Sequence, residues 1–101
     1  MYLALAFALT LAANPATGAE PQVLLDQYRC TVCHAQREAL AGPAWVDVAT
    51  RYRGTRQAEA TVAARIRDGV QGGGPWHMPP HPEISPSDAA TMARYILAPR
   101  N

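Results

Sequence analysis

The sequence predicts a single all-α domain, and three observations lead to this class. The chain has 101 residues, which is enough for one domain with a modest core. Apolar side chains recur three and four positions apart in several segments, as they do on the buried face of a helix. No segment has the alternation of apolar and polar residues that is typical of a half-buried strand. We therefore expect four to five short helices.

Residues 1–19 carry no charged side chain and are similar to a secretory signal peptide. The apolar stretch 2–13 is too short to cross a bilayer but has the length of a signal-peptide core. Small residues at 17–19 suit cleavage before Glu20, although the start of the segment lacks the usual Lys or Arg. We expect a signal peptide over 1–19 and the mature domain over 20–101. An uncleaved membrane anchor is the alternative.

Two helices are predicted in the first half of the domain. The first follows Pro21, a residue that suits the start of a helix, and runs from Gln22 to Cys33. The second is predicted from four apolar side chains that share one helical face, and Gly54 ends it. These four residues are Trp45, Val48, Ala49 and Tyr52.

Two more helices are predicted in the second half. The third has an apolar residue at every fourth position and stops at Gly69. Residues 71–86 are too rich in Gly and Pro to form a helix, so we expect a long ordered loop. The last helix is predicted to begin after Ser85, with Pro86 in its first position, and to end at about Leu97. The apolar residues of the third helix are Ala58, Val62 and Ile66.

The sequence Cys30-Thr31-Val32-Cys33-His34 is a C-x-x-C-H haem attachment motif. Two cysteines three residues apart on a helix share a face, so both sulfurs can form thioethers with neighbouring vinyl groups of one porphyrin. His34 follows at once and can bind the iron. A covalent haem would also supply the apolar core that a mature chain of about 80 residues lacks. The motif therefore predicts one covalently bound haem c with its iron.

Three other uses of Cys30 and Cys33 stay open at this point. A redox disulfide of the thioredoxin kind needs a strand–helix–strand context, which the sequence does not predict. A zinc site would join the two thiols to His77 and His81. The separation between Cys33 and His77 is far longer than in a zinc finger, however, and His34 would have no role. The third use is a purely structural pair of cysteines.

A second axial ligand for the iron must come from elsewhere in the chain, and Met78 is predicted. It lies in the Pro-rich loop, which can hold a thioether in place at little entropic cost. A thioether ligand favours ferrous iron and raises the reduction potential. Met92 is expected to pack on the core side of the last helix instead. His77 or His81 would give a bis-histidine haem as the alternative; otherwise both are expected at the surface.

Together these motifs make the chain similar to the small bacterial class I cytochromes c that carry electrons in the periplasm. The resemblance covers residues 21–98 and rests on C-T-V-C-H, G-P-A-W-V-D-V-A, R-I-R-D-G, M-P-P-H-P and A-R-Y-I-L. It implies the class I cytochrome c fold, with short helices wrapped around one haem. It also implies that the first and last helices cross, with Tyr95 against residues 24–28.

The resemblance implies two further residues of the haem pocket, Pro43 and Trp76. The Pro43 carbonyl is expected to accept a hydrogen bond from Nδ1 of His34, which would fix the imidazole and make it a better donor to iron. Trp76 stands two residues before Met78, closer than the tryptophan of many relatives, so propionate binding and packing on the haem edge are both open. Arg29 also departs from the family, which commonly has a small residue there.

The predicted function is transfer of single electrons between periplasmic redox partners, without enzymatic activity. Two strong axial ligands leave no coordination position for a substrate, and partners are expected to dock transiently at the haem edge. We expect a monomer that binds no nucleic acid and no membrane beyond an uncleaved leader, since the formal net charge is only +1. Three alternatives stay open: a dedicated cytochrome subunit of a dehydrogenase or oxidase complex, an open-site haem enzyme or gas sensor, and a zinc-binding structural module.

Overall fold

Four α-helices form the domain in the computed structural model, which describes residues 2–6, 8, 20–72 and 77–99. A short 3₁₀ turn, Cys30–Val32, lies between the first two helices. Within these ranges the chain forms no strand, and its two isolated bridges join His34 to Ala39 and Val70 to Met78. The predicted all-α class is confirmed. The helices are α1 (Pro21–Gln27), α2 (Trp45–Tyr52), α3 (Ala58–Asp68) and α4 (Pro86–Leu97).

Helix α4 is the centre of the fold because it contacts each of the other three helices. It starts where predicted: Pro86 is its first residue, and the Ser85 hydroxyl accepts a hydrogen bond of 3.0 Å from the backbone N–H of Asp88. Such a cap satisfies one of the N–H groups that a helix start leaves without a partner. Met92 is fully buried on the inner face of α4, as predicted for a packing residue.

Helices α1 and α4 lie against each other in opposite directions. The Gln22 side-chain amide near the start of α1 donates a hydrogen bond of 2.6 Å to the Tyr95 hydroxyl near the end of α4. The Tyr28 hydroxyl, just after α1, donates one of 2.8 Å to Asp88 in the first turn of α4. These bonds agree with the predicted contact between the first and last helices. They tie the segment before the cysteines to the most buried helix.

Helix α1 is shorter than predicted, because it ends at Gln27 and does not continue to Cys33. Arg29 adopts the left-handed conformation with φ of 63°, which interrupts the helix just before the cysteines. A non-glycine residue rarely adopts this conformation. The chain then resumes as the 3₁₀ turn, whose first residue, Cys30, is buried. The reversal at Arg29 therefore turns the cysteine segment towards the core.

Helix α2 begins without a side-chain cap, since the residue before it is the buried Ala44. Its first N–H groups are instead satisfied by the loop that follows His34. The backbone N–H of Trp45 donates to the Ala35 carbonyl at 2.9 Å, and that of Val46 donates to the Gln36 carbonyl at 3.1 Å. The start of α2 is thus fixed to the two residues after the predicted iron ligand.

The part of the chain that the structure describes contains no helix long and apolar enough to cross a membrane. Residues 2–6 and 8, within the predicted signal peptide, are exposed and form neither helix nor strand.

Candidate functional site

Cys30 begins the 3₁₀ turn, Cys33 follows directly after it, and both are free thiols. Their spacing is fixed locally, because the backbone N–H groups of Cys33 and His34 both donate to the Cys30 carbonyl, at 3.1 and 3.0 Å. Burial raises the pKa of the Cys30 thiol, whereas Cys33 is only half-buried. Two thiols on one turn, with no disulfide between them, are the donor set that thioether attachment to a porphyrin edge requires.

The His34 side chain is buried, with 8% of its surface exposed, and one ring nitrogen is already engaged. Its Nδ1 lies 2.6 Å from the Pro43 carbonyl oxygen. Because a carbonyl can only accept, Nδ1 carries the hydrogen, and Nε2 is the nitrogen left to bind a metal. Burial lowers the pKa of His34, and the bond to Pro43 opposes that effect in part. The neutral imidazole that results is the form that ligates iron.

Two further residues hold the imidazole ring, and sequence reasoning gave neither of them this role. The indole of Trp45 stacks on the ring, with 4.3 Å between centroids and 17° between planes. Gly42 approaches so closely that a Cβ at this position would lie 2.5 Å from Cε1 of His34. The 3.6-residue period of α2 predicted only that Trp45 would be buried. Neither contact has a local signal in the sequence, since each depends on how the loop after His34 folds back.

Met78 is half-buried and packs against the same core cluster that contains Cys30 and Trp45. Its backbone pairs with Val70 through two hydrogen bonds of 3.0 Å each. Gly69 makes this pairing possible: it has φ of +80°, and a Cβ there would lie 2.6 Å from the Met78 carbonyl oxygen. A thioether thus lies at the cluster that also includes Cys30 and the ring stacked on His34.

The two histidines near Met78 lie in different surroundings. His77 is exposed, as expected for a loop residue. His81 is half-buried, so it lies at the surface only in part. Its backbone N–H donates to the Arg67 carbonyl at 2.9 Å, and its Nδ1 lies 3.1 Å from the Ile66 carbonyl. His81 therefore satisfies carbonyl groups at the end of α3, where a helix lacks partners of its own.

The alternative zinc site finds no support in the described residues, and the prediction for Trp76 is not tested by them. Nowhere in residues 2–6, 8, 20–72 and 77–99 do three His, Cys, Asp or Glu side chains come close enough to hold a metal ion. The zinc site that would join the two cysteines to His77 and His81 is therefore not assembled there. Trp76 lies outside the described residues.

A cleft of about 470 Å³ borders His34 on the side of α1 and α4. Neither cysteine lines it, and Met78 does not either, so this cleft is not where the predicted haem ligands meet. Its walls are Gln22, Leu25, Asp26, Thr31, His34, Ala35, Gln36, Trp45 and Tyr95.

The sequence and the fold are similar to those of known proteins. The model of the family described as "Cytochrome c" matches residues 19–98. The chain is 41% identical over 90 residues to cytochrome c-551 of Pseudomonas aeruginosa, covering 88% of this chain and 86% of that one. It is 34% identical over 77 residues to cytochrome c-552 of Hydrogenobacter thermophilus, covering 74% and 76%. The crystal structure of wild-type Nitrosomonas europaea cytochrome c552 superposes with a TM-score of 0.72 at 32% identity, covering 75% of this chain and 95% of that one.

Proposed function

Because the chain belongs to the cytochrome c family, we propose that Cys30 and Cys33 bind its haem c through thioether bonds and that His34 ligates the iron. The chain has the class I cytochrome c fold and is a single-electron carrier with one covalently bound haem c, not an enzyme. The spacing of the free thiols on the 3₁₀ turn supports the attachment sites. The observation that carries the His34 assignment is its Nδ1 contact with Pro43, which reserves Nε2 for the metal.

Pro43 acts on the iron only through His34. The hydrogen bond from Nδ1 holds the imidazole in one tautomer and gives the ring partial imidazolate character, which strengthens Nε2 as a donor. The His34 ring is buried although Pro43 is exposed, so this bond is partly shielded from water and is stronger than a fully exposed one would be. We therefore assign Pro43 to the haem pocket as the residue that orients the axial histidine.

Met78 is the second axial ligand in this proposal. Its packing against the cluster that includes Cys30 supports this assignment, as does the two-bond pairing with Val70 that fixes its backbone. Of the competing groups, His77 is exposed, and His81 is held at the end of α3 by its backbone N–H as well as by its ring. Met92 is fully buried among the helices. A thioether sulfur stabilises ferrous iron and so favours a high reduction potential.

An imidazole and a thioether together make electron transfer the best-supported chemistry. The haem iron supplies the one-electron change between its ferrous and ferric states. His34 and Met78 would complete its coordination, which would leave no position for oxygen, peroxide or a substrate. Pro43 and Trp45 hold the His34 side chain, and the pairing with Val70 holds the Met78 backbone. The two ligands therefore need not move when the iron changes its oxidation state. This arrangement argues against the open-site enzyme or gas sensor.

The ligand assignment is tested by the absorption spectrum of the oxidised holoprotein. We expect the weak far-red band that arises from sulfur-to-iron charge transfer. Met78→Ala should abolish it, while Met92→Leu, a nearly volume-conserving change in the core, should retain it. The assignment is wrong if the band survives in Met78→Ala or is lost in Met92→Leu. Carbon monoxide should leave the reduced wild-type spectrum unchanged and shift that of Met78→Ala.

The chain works with redox partner proteins, and we propose that they dock beside the cysteine motif. Val32, between the two cysteines, is 64% exposed, and Leu40, in the loop that returns to Cys33, is 45% exposed. The Gly42 N–H donates to the Cys33 carbonyl at 2.7 Å, which keeps that loop at the motif. We propose a small and transient contact, burying on the order of 1,200 Å² or less, made by a monomer. Arginine would supply any positive charge, since the chain has no Lys.

We also propose that the carrier is periplasmic, with residues 1–19 removed as a signal peptide to leave the haem domain 20–101. The uncharged, apolar leader supports export. Trp76 belongs to the haem pocket in this proposal, either at a propionate or on the haem edge. The mass of the protein purified from the periplasm tests the first point. It should equal haem plus a chain that begins at Glu20, and a retained leader would contradict the cleavage site.

A further inference from the structure

The stacked pair of Trp45 and His34 constrains the imidazole more than a general apolar contact would. Both residues are buried, with 8% of their surface exposed. The rings are nearly parallel, at 17°, with centroids 4.3 Å apart. Any apolar side chain at position 45 would cover the core. A flat ring laid along another flat ring also restricts rotation of the imidazole about its Cβ–Cγ bond, which has no sharp preference of its own in histidine.

The hydrogen bond to Pro43 alone does not determine the plane of the imidazole. A single contact of 2.6 Å restrains Nδ1, but a hydrogen bond tolerates a range of angles, so small changes in the two side-chain torsions of His34 can still tilt the ring. The stack on Trp45 opposes that motion because tilting the imidazole would separate the two faces. Gly42 also limits the space around the imidazole, because a methyl group added at this position would collide with the ring.

Trp45 is itself held in place by the loop after His34. Its backbone N–H donates to the Ala35 carbonyl, and the next N–H, of Val46, donates to the Gln36 carbonyl. The two rings are therefore linked through a short and hydrogen-bonded path of backbone. These bonds hold the backbone of Trp45, and burial of its side chain in the core cluster opposes rotation of the indole to follow the imidazole.

We propose that Trp45 is a positioning residue that sets the plane of the axial imidazole, and with it the orientation of His34 about the bond from Nε2 to iron. The inference deepens the proposed function and rests on its assignment of His34 as a ligand. The electronic structure of ferric haem depends on this orientation, because the imidazole π orbital mixes preferentially with the iron orbital that lies in the matching direction. Trp45 thus acts on the haem through the ligand.

The test is the proton NMR spectrum of the ferric holoprotein with bound cyanide. Cyanide displaces the weaker thioether and is symmetric about its bond to iron, so the order and spread of the four haem methyl resonances report the imidazole plane alone. We expect Trp45→Leu to change that order or narrow the spread. Trp45→Phe retains a flat ring and should keep the wild-type order. Tyr52→Leu makes the same aromatic-to-aliphatic change on α2, away from His34, and should also keep it.

Three outcomes would overturn the inference: a wild-type methyl pattern in Trp45→Leu, an equal change in Trp45→Leu and Trp45→Phe, or a comparable change in Tyr52→Leu. If Trp45→Leu yields no folded holoprotein, Trp45→Met supplies the flexible non-aromatic side chain and is judged by the same criteria. A failure of the proposed function would look different. If His34 is not a ligand, the wild-type cyanide adduct lacks the hyperfine-shifted resonances of an iron-bound imidazole, whatever residue stands at position 45.

Discussion

The Nδ1 atom of His81 lies 3.1 Å from the carbonyl oxygen of Ile66, in the last turn of α3. The backbone N–H of the same residue donates to the next carbonyl, that of Arg67, at 2.9 Å. His81 lies in the segment that follows Met78, and it satisfies these carbonyl groups at the end of α3. This contact couples the stability of α3 to the position of the proposed thioether ligand.

Replacing His81 with Ala should weaken this attachment. Loss of one half-buried hydrogen bond is expected to lower the free energy of unfolding by about 1 kcal/mol. His81→Asn, which keeps a side-chain N–H, should recover part of the loss. Denaturant unfolding of the holoprotein measures the effect. His77→Ala, at an exposed position in the same loop, is the control, and a loss of equal size there would contradict the role of the Ile66 contact.

Gly69→Ala should be more harmful than Gly72→Ala, although both residues have nearly the same left-handed φ, +80° and +81°. Both variants incur the backbone strain of a side chain at positive φ, about 1 kcal/mol. Only at position 69 does the new methyl group meet another segment, 2.6 Å from the Met78 carbonyl oxygen. We expect a further loss of about 1–3 kcal/mol from that collision.

The far-red band of the oxidised protein provides a second measurement for this glycine pair. In Gly69→Ala the band should be weaker than in wild type, or should disappear more readily when the pH is changed, because the backbone of Met78 is displaced. It should stay unchanged in Gly72→Ala. Equal unfolding free energies and equal spectra for the two variants would show that the close approach to Met78 does not matter.

Gly42→Ala should disturb the imidazole directly. The added methyl group would lie 2.5 Å from Cε1 and 2.8 Å from both ring nitrogens of His34, so the ring or the loop must move. We expect a loss of about 1–3 kcal/mol in unfolding free energy and a shifted reduction potential. Gly54→Ala is the control because no atom lies within 4 Å of its added methyl group and its φ is not left-handed. A Gly42→Ala protein with the stability and potential of Gly54→Ala would refute this expectation.

Tyr28→Phe should make the alkaline loss of stability less steep. The hydrogen bond to Asp88, followed by burial, raises the pKa of Tyr28 above its ordinary value of 10.0. Because the pKa is higher in the folded protein, the unfolded chain loses the Tyr28 hydroxyl proton at a lower pH than the folded protein does. The hydroxyl therefore stabilises the folded protein fully below about pH 10, and the contribution disappears as the pH rises through the folded pKa. Unfolding free energies measured from about pH 9 to about pH 11 should thus fall less in Tyr28→Phe than in wild type.

Tyr52→Phe is the matched control for this pH dependence. Its hydroxyl makes no hydrogen bond with the described part of the chain, and the variant should follow the wild-type curve. If Tyr28→Phe and wild type lose stability in parallel, the bond to Asp88 does not contribute to the alkaline transition.

The sequence predicted the helices whose signals are local. Helix α2 is found at Trp45–Tyr52, as its apolar spacing indicated, and α4 starts at Pro86 after the expected Ser85 cap. Helix α1 was predicted too long because nothing in the properties of Arg29 indicates a left-handed conformation. That conformation accompanies the burial of the next residue, Cys30, as expected where tertiary packing overrides local preference.

The site was predictable where the chemistry lies in consecutive residues and unpredictable where it depends on contacts across the chain. The C-x-x-C-H motif indicated the haem without any structure. The contact of His34 with Pro43 came from family resemblance, and the structure contains it. By contrast, the Trp45 stack, the close approach of Gly42 and the use of His81 at the end of α3 depend on how separate segments meet. Their residue types alone suggested only packing, a turn and an exposed loop.

The start of α2 has no side-chain cap, and this has a consequence for the stability of the loop that supports His34. The amide hydrogens of Trp45 and Val46 are held by the carbonyls of Ala35 and Gln36, so they exchange with solvent only when the loop after His34 opens. A fluctuation that lifts the loop after His34 exposes both amides together. Their exchange rates therefore report how often the segment that supports the proposed iron ligand opens, and they can be measured without removing the haem.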